Sequence, residues 1–341
     1  MNKKLLSILQ YLLFMGLGIF LIWWQLRTMT PAEKAEFTAA LQSVNYWLMI
    51  PVAFMSLLSH LSRAMRWQLL LHPMGYRPQL KNTFATTMVG YLANSAIPRL
   101  GEVLKCTLLA RYERLPFEKV LGTIIIERAF DLICYILFIA ITVLVQLDLL
   151  DAYVRNKLSI IFNKDMGIPG WLLLLLLMLT FILFVVLLRR MIKSNSQNKW
   201  VARLQRFVKG IIQGFSSIKN LQKKNQFLAH TFFIWAMYLL QVYLGFFAMD
   251  GLQGLDIRAA CSVLALATLA MIATPGGIGS FPIFVMETLL IYHIASPTGK
   301  AFGWLIWGTN TAIIVLAGLI SLLLLPYINK NKGNEPAASI H

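Results

Sequence analysis

The sequence predicts an all-α, polytopic transmembrane bundle with re-entrant or broken helices, and three observations carry that prediction. First, 58% of the 341 residues are hydrophobic and only 13% are charged, against about 25% charged in a soluble domain. A water-facing surface needs more charge than this, so most of the surface must face lipid. Second, apolar stretches of spanning length recur about eight times. Third, the basic residues are concentrated in alternate connections between those stretches.

The stretches run over residues 5–24, 46–66, 120–146, 171–188, 227–249, 257–274, 278–294 and 301–326. Each approaches the roughly 20 residues that cross a bilayer core. The first follows Lys3 and Lys4 and ends in Trp23, Trp24 and Gln25 without a small-residue cleavage site, which reads as an uncleaved span rather than a signal peptide. The seventh carries Pro282 and Glu287, and its length leaves open whether it spans or re-enters. Residues 83–97 are apolar but too short to cross, contain Gly90, Asn94 and Ser95, and stop at Pro98. Irregular backbone at membrane depth is tolerated only where protein or water covers it. This segment therefore reads as a re-entrant hairpin inside the bundle, with a short interfacial helix as the alternative.

With the N-terminus inside and the spans alternating, 23 Lys and Arg fall on the inner side and 7 on the outer, with Arg128 within a span. That asymmetry places both termini in the cytoplasm, in the inner membrane of a bacterium. Residues 189–226 hold ten basic and no acidic residues. There Trp200, Leu204, Phe207, Val208, Ile211, Phe215 and Ile218 recur at helical spacing. Such a segment is expected to lie on anionic phospholipid at the inner leaflet, or to pack on its own bundle. The domain organisation is then a membrane domain over 1–326, including that basic amphipathic segment, and a cytoplasmic tail over 327–341.

The net charge of +17 raises nucleic acid as a partner, but the basic residues sit between spans and not on a soluble domain, which excludes it. Cys106, Cys134 and Cys261 are far apart, so free thiols are expected. The five histidines are scattered and offer no metal-ligand spacing. No cofactor and no metal is expected. Candidate partners beyond lipid are a second copy of the chain or a lipid-modifying enzyme.

Three places concentrate chemistry. Glu127, Arg128 and Asp131 lie inside the third span, where each charge costs about 2.5–3.5 kcal/mol on insertion scales. Their spacing lets them pair on one helix face or line a wet chamber. Asn94, Pro98, Arg99, Gly101, Glu102 and Lys105 follow the short apolar stretch. A broken helix there frees backbone groups for a ligand, Arg99 offers a fork of donors to phosphate, and Glu102 suits an amine or a proton. Solvated charges in a turn are the plainer reading. Thr274, Pro275, Gly276, Gly277, Ile278, Gly279 and Ser280 cannot form a regular helix. They make either a tight turn or a backbone cradle for an anion. The segment from Leu92 to Pro98 and the one from Leu269 to Pro275 occupy similar settings, an internal repeat of broken segments that points to a transporter site at mid-membrane. Arg63, Arg66 and Trp67 close the second span, which positive-inside anchoring explains, with headgroup capture as an addition.

Four motifs in order carry a resemblance. They are Arg63-Ala64-Met65-Arg66-Trp67, then Asn94 to Glu102, then Glu127-Arg128-Ala129-Phe130-Asp131, then Thr274-Pro275-Gly276-Gly277-Ile278-Gly279. Over residues 5–326 the chain resembles the lysylphosphatidylglycerol synthetase-type transmembrane region, a flippase-like family. The resemblance implies movement of a polar-headed aminophospholipid or polyprenyl-phosphate lipid between leaflets. It implies phosphate contacts from Arg99 and Arg128, headgroup or proton contacts from Glu102, Glu127 and Asp131, and a lining from Pro275, Gly276, Gly277 and Gly279. In some members a soluble aminoacyl-transferase domain follows. With about 15 residues after the last span here, that activity is expected to be absent. The resemblance also implies an acid just after the glycine turn, where this sequence has Pro282 and its nearest acid is Glu287. An intramembrane transferase using Glu102 or Asp131 as base, and a scaffold recruiting an enzyme through residues 189–226, are the competing functions.

Overall fold

The structure, a computed structural model, describes residues 16, 20–21, 23–25, 27–97, 100–146, 179 and 221–330. Apart from Leu179, the span expected at 171–188 lies outside these residues. So do most of the amphipathic segment, the tail from 331, and the pair Pro98 and Arg99. The described residues form helices: α1 (Pro31–Gln42), α2 (Tyr46–Leu71), α3 (Leu80–Ala96), α4 (Leu100–Glu113), α5 (Phe117–Val145), α6 (Lys224–Phe247), α7 (Ile257–Ala273), α8 (Ser280–Leu290) and α9 (Ser296–Ile328). Short 3-10 turns follow α2 at His72–Met74 and α7 at Pro275–Gly277. The chain divides into two compact units, Met1–Ile124 with Leu221–His341, and Ile125–Asn220.

In the first unit the polarity is that of a membrane protein. Trp47, Phe232, Leu323 and Tyr327 are each at least 70% exposed, while Ser56, Ser59, Ser62, Arg66 and Thr231 are buried. The long helices α2, α6 and α9 are apolar and long enough to cross a bilayer, as is α5, whose first turns belong to this unit. α2 and α6 run antiparallel: Asn45 N–H donates to Ala248 O at one end, called the upper end below, and Ser62 Oγ lies 2.9 Å from His230 Nδ1 toward the other.

The remaining helices form two hairpins of less than membrane length. α3 turns back into α4, and the two helices of this hairpin are joined by Asn82 Nδ2 donating to Glu113 at the base and by Gly101 N–H donating to Asn94 Oδ1 near the tip. Gly90 and Gly101 let the two backbones touch, since a Cβ on Gly101 would collide with Gly90 O and the Asn94 side chain. α7 turns back into α8 in the same way. Ser262 Oγ meets Tyr292 Oη at the base (3.0 Å), and Thr274 Oγ1 meets Ser280 Oγ near the tip (2.6 Å). At about 1.5 Å per residue, α7 is about 26 Å long and α8 about 16 Å, short of a bilayer core of about 30 Å. The stretch 257–274, read from sequence as a span, and the stretch 278–294, which the sequence left between span and re-entry, pack on each other as one helical hairpin whose limbs are each shorter than a bilayer core. The hairpin expected within 83–97 is larger than the sequence implied: residues 80–96 are one continuous helix, its first limb α3, and the second limb is α4, in residues read from sequence as part of an inner loop.

Helix α9 is the spine on which both hairpins lie end to end. Its first half packs on the second hairpin, where a Cβ on Gly299 would meet Met286, one on Gly303 would meet Pro282, and Trp307 Nε1 donates to Gly276 O (2.8 Å). Its second half packs on the first hairpin. A Cβ on Gly318 would meet Leu92 and Met88, Leu325 is buried against Ala85 and Val89, and Asn329 exchanges hydrogen bonds with Asn82 (2.8 and 2.9 Å). The bases of the hairpins are thus at opposite ends of α9 and their tips meet near its middle, where a Cβ on Gly276 would lie 3.7 Å from Ser95 Cα.

This is an inverted repeat with a constant offset. Leu80–Ala96 and Ile257–Ala273 are both 17 residues long and 177 positions apart. Each ends in an extended residue, Ile97 or Thr274, whose N–H donates to an alanine carbonyl four back, Ala93 or Ala270. A proline follows each, which explains the extended residue before it. The ends of α4 and α8, Glu113 and Leu290, keep the same offset. Within the second unit the described residues are 179 and 125–146, the latter being the remainder of α5.

Candidate functional site

The inner-facing stripe of α2 sets up the site in the first unit. Ser56, Ser59, His60, Arg63, Arg66 and Trp67 recur every three or four residues and all are buried. Polar groups gather on the protein side of the helix because its other face, with Ile50 and Phe54, is apolar and exposed. Arg66 is 0% exposed and Arg63 8%. A guanidinium Nη of Arg63 donates to Tyr238 Oη (3.2 Å), and one of Arg66 donates to Thr231 Oγ1 (3.2 Å). Arg66 also stacks over the Phe227 ring, 5.5 Å from its centroid.

The first hairpin adds a third cation. Lys105, 4% exposed, places Nζ 3.9 Å from the centre of the Trp67 ring, and Trp67 Nε1 donates to Thr123 Oγ1 (2.8 Å). Trp67 is completely buried, so it is a platform for Lys105 and not the interfacial anchor its place at the end of a span implied. Glu102, one turn before Lys105, is half-buried. Arg63, Arg66 and Lys105 are thus three buried cations on α2 and α4 of the first unit, and cationic donors of this kind favour a phosphate.

The second hairpin's tip is held from several sides. Gly276, Gly277 and Gly279 adopt φ of 60°, 71° and 72°, values at which an L side chain is strained. Gln25 Nε2 donates to Gly279 O (2.7 Å), which joins the first span to this turn. Ser280 Oγ donates to Ala270 O and so closes the turn on α7. Pro282, in the place where the resemblance implied an acid, is buried against Gly303, and Glu287 is exposed.

The sequence-predicted residues fall into three groups. Arg63, Arg66, Asn94, Glu102, Gly276, Gly277 and Gly279 belong to the first unit, on α2 and the two hairpins. Of these, Asn94 has a structural task, capping the Gly101 amide at the start of α4. Pro275 is in the 3-10 turn, and Arg99 lies outside the described residues. Glu127, Arg128 and Asp131 belong to the second unit. There Glu127 is fully buried, Asp131 half-buried and Arg128 exposed on α5. Lys105 and Trp67 were named in the sequence with the Glu102 and Arg66 clusters but given no role of their own, while Tyr238 and Thr231 were not among the expected site residues. The one sequence signal for Lys105 is its spacing, three residues after Glu102 on a predicted hairpin.

The family pattern described as the lysylphosphatidylglycerol synthase TM region matches residues 7–318. The chain belongs to that family. A UPF0104 membrane protein of Methanothermobacter thermautotrophicus is 25% identical over 272 residues, 70% of this chain and 73% of the relative. A second UPF0104 membrane protein, from Methanocaldococcus jannaschii, is 19% identical over 285 residues, 79% of this chain and 82% of the relative. No solved structure matches the chain. The family match runs from the first span into α9 and so takes in both hairpins and all four motifs.

Proposed function

We propose that the protein carries a lipid with a phosphate-bearing polar headgroup, an aminophospholipid or a polyprenyl-phosphate lipid, between membrane leaflets. The observation that supports this reading is the meeting of two inverted hairpins near the middle of α9, beside the buried cations Arg63, Arg66 and Lys105. Broken helices at the interface of inverted repeats are where secondary transporters place polar cargo, because the free backbone groups there replace water. Hairpins entering from opposite faces also give the cargo a half-path on each side. The cations take the phosphate. Glu102, Arg99, Glu127, Arg128 and Asp131 are candidates for contacts with the rest of the headgroup or with protons.

The test is headgroup accessibility in proteoliposomes carrying a labelled phospholipid, with wild type beside Arg66→Gln, Lys105→Met, Glu127→Gln and Arg128→Ala. Losing a buried, hydrogen-bonded charge contact costs about 2–5 kcal/mol, so Arg66→Gln and Lys105→Met are expected to slow transfer more than tenfold. Equal rates for wild type and all four variants contradict the reading.

A further inference from the structure

Below the buried cations, at the lower end of the first unit, the turn that joins α2 to α3 collects charge from three elements. α2 runs on as the 3-10 turn His72–Met74, and Gly75, at φ 83°, reverses the chain into Tyr76, Arg77 and Pro78. The turn is held against α2, with Tyr76 N–H donating to Leu71 O (3.3 Å) and Gln68 Nε2 to Pro78 O (2.7 Å). Two contacts set the register of its neighbours. Trp67 Nε1 donates to Thr123 Oγ1, so Lys119, one turn earlier on α5, lies one turn lower. Arg66 stacks on Phe227, so Lys223, at the start of α6, likewise lies one turn lower. Both lysines are thereby brought to the level of the turn. Lys119 Nζ lies 5.7 Å from the centre of the Tyr76 ring, and the charges of Lys223 and Arg77 both act on the His72 imidazole.

Arg77, Lys119 and Lys223 are exposed, and among the described residues none of them has a carboxylate partner. Of the acids at this end, Glu113 accepts from the Gln79 amide and from Asn82, and Glu118, exposed beside Lys119 in sequence, bridges to none of the three. Like charges repel, so cations gathered at one level from three elements, with no acid paired to them, match an anion. The start of α6 adds to this. It has no side-chain cap, so its first amides and the positive end of its dipole are open at the same end of the molecule.

The depth of the turn names the kind of anion. Trp47, 80% exposed, stands at the upper end of α2, and the 26 residues of that helix extend about 39 Å, against a bilayer core of about 30 Å. The turn beyond its last residue is thus at headgroup depth on the lower side. Met74 is an exposed apolar side chain in that turn, and Tyr76 is an aromatic of the kind found at this level. A soluble anion gains nothing from an exposed methionine, whereas a phospholipid sets its phosphate on the cations and its glycerol and first acyl carbons on Met74. We infer that the α2–α3 turn, with Lys119 of α5 and Lys223 at the start of α6, is a binding site for the phosphodiester headgroup of an anionic phospholipid in the adjoining leaflet. His72 is six residues past Arg66, about 9 Å along the helix axis, so this site is separate from the cations assigned to cargo and does not depend on transport.

Binding is read by thermal stabilisation of the detergent-solubilised full chain. The probes are short-chain phosphatidylglycerol, phosphatidylcholine with the same chains, and inorganic phosphate. Wild type is expected to bind phosphatidylglycerol about tenfold more tightly than phosphatidylcholine, and inorganic phosphate at the same concentrations is expected to have no effect. The double variant Lys119→Gln, Lys223→Gln is expected to lose about tenfold in phosphatidylglycerol affinity, with its melting temperature without lipid unchanged. Arg111→Gln, Lys330→Gln removes the same charge from exposed positions at the base of the first hairpin and is expected to lose less than about twofold. Arg66 and Lys105 are intact in both doubles, so the difference between them reads the turn and not the cargo cations. The inference is overturned if the two doubles lose affinity alike, if wild type binds phosphatidylcholine as tightly, or if inorganic phosphate stabilises as well as the lipid. Should the first double fail to fold, Arg77→Gln alone is expected to lose about threefold, and unchanged binding in that variant overturns it.

Discussion

Lys105 and Trp67 show how a membrane interior keeps a charge. The ammonium sits on the indole face at 3.9 Å, and the indole N–H is spent on Thr123, which fixes the ring's tilt. A desolvated cation–π contact of this kind contributes about 2 kcal/mol. Trp67→Leu is therefore expected to lower stability in detergent melting by about that amount, with Thr123→Val smaller and in the same direction. Gly101 makes a sharper case. A Cβ there would strike the Gly90 carbonyl and Asn94, whereas a Cβ on Gly122 meets nothing within 4 Å. Gly101→Ala is expected to destabilise by about 3 kcal/mol through overpacking, and Gly122→Ala to be neutral or stabilising by up to about 1 kcal/mol, since helical alanine is favoured over glycine. Equal melting temperatures for these two variants contradict the close-packed hairpin.

Among the elements, the long spans were legible because α2, α5, α6 and α9 each offer a continuous apolar length that nothing but a bilayer or a large core accepts. The first hairpin was legible for the opposite reason: residues 83–97 are too short to cross and end at a proline. The second hairpin was only half legible, since 257–274 is near spanning length and 278–294, with Pro282 and Glu287, fits a span or a re-entrant limb equally. What distinguishes a hairpin from two spans is contact across the fold, Pro282 on Gly303 and Gly276 under Trp307, and periodicity does not encode that. The site was half legible. Arg63 and Arg66 stand where a topology signal would put them, and their burial depends on α6 packing over them. Outside the spans, α1 starts with a capping box in which the Thr30 amide and hydroxyl hydrogen-bond the Glu33 carboxylate and hold it below the usual carboxylate range. A carboxyl lowered in the folded state stabilises above its ordinary range, and that stability is lost as pH falls through the lowered value. Amide exchange in the first turn of α1, corrected for intrinsic rate, is expected to quicken as pH drops into that range, Thr30→Val, which keeps the amide donor, to weaken the dependence, and Glu33→Gln to remove it.

For the whole molecule, the repeat explains why the hairpins are short. Each enters from its own end of α9, and together α3, the two tips and α8 occupy a spine of about 50 Å at about 1.5 Å per residue. The limbs of both hairpins are shorter than a bilayer core, and the polar groups of Ser56, Asn310 and Gly276 gather near the middle of α9, bonded to protein. The cation cluster and the hairpin tips then lie in sequence along one direction, as a route for a headgroup requires. Everything functional rests on the tips meeting there. In membranes, with Cys106, Cys134 and Cys261 replaced by alanine, a Ser95→Cys, Gly276→Cys pair treated with oxidant measures that meeting directly. The fold predicts an intramolecular disulfide, and an Ile278→Cys variant closed to membrane-impermeant thiol reagents added from either side of the sealed membrane. Failure of the crosslink, together with ready labelling of position 278 from the cytoplasmic face, would place that turn at the surface between two full spans and contradict the account.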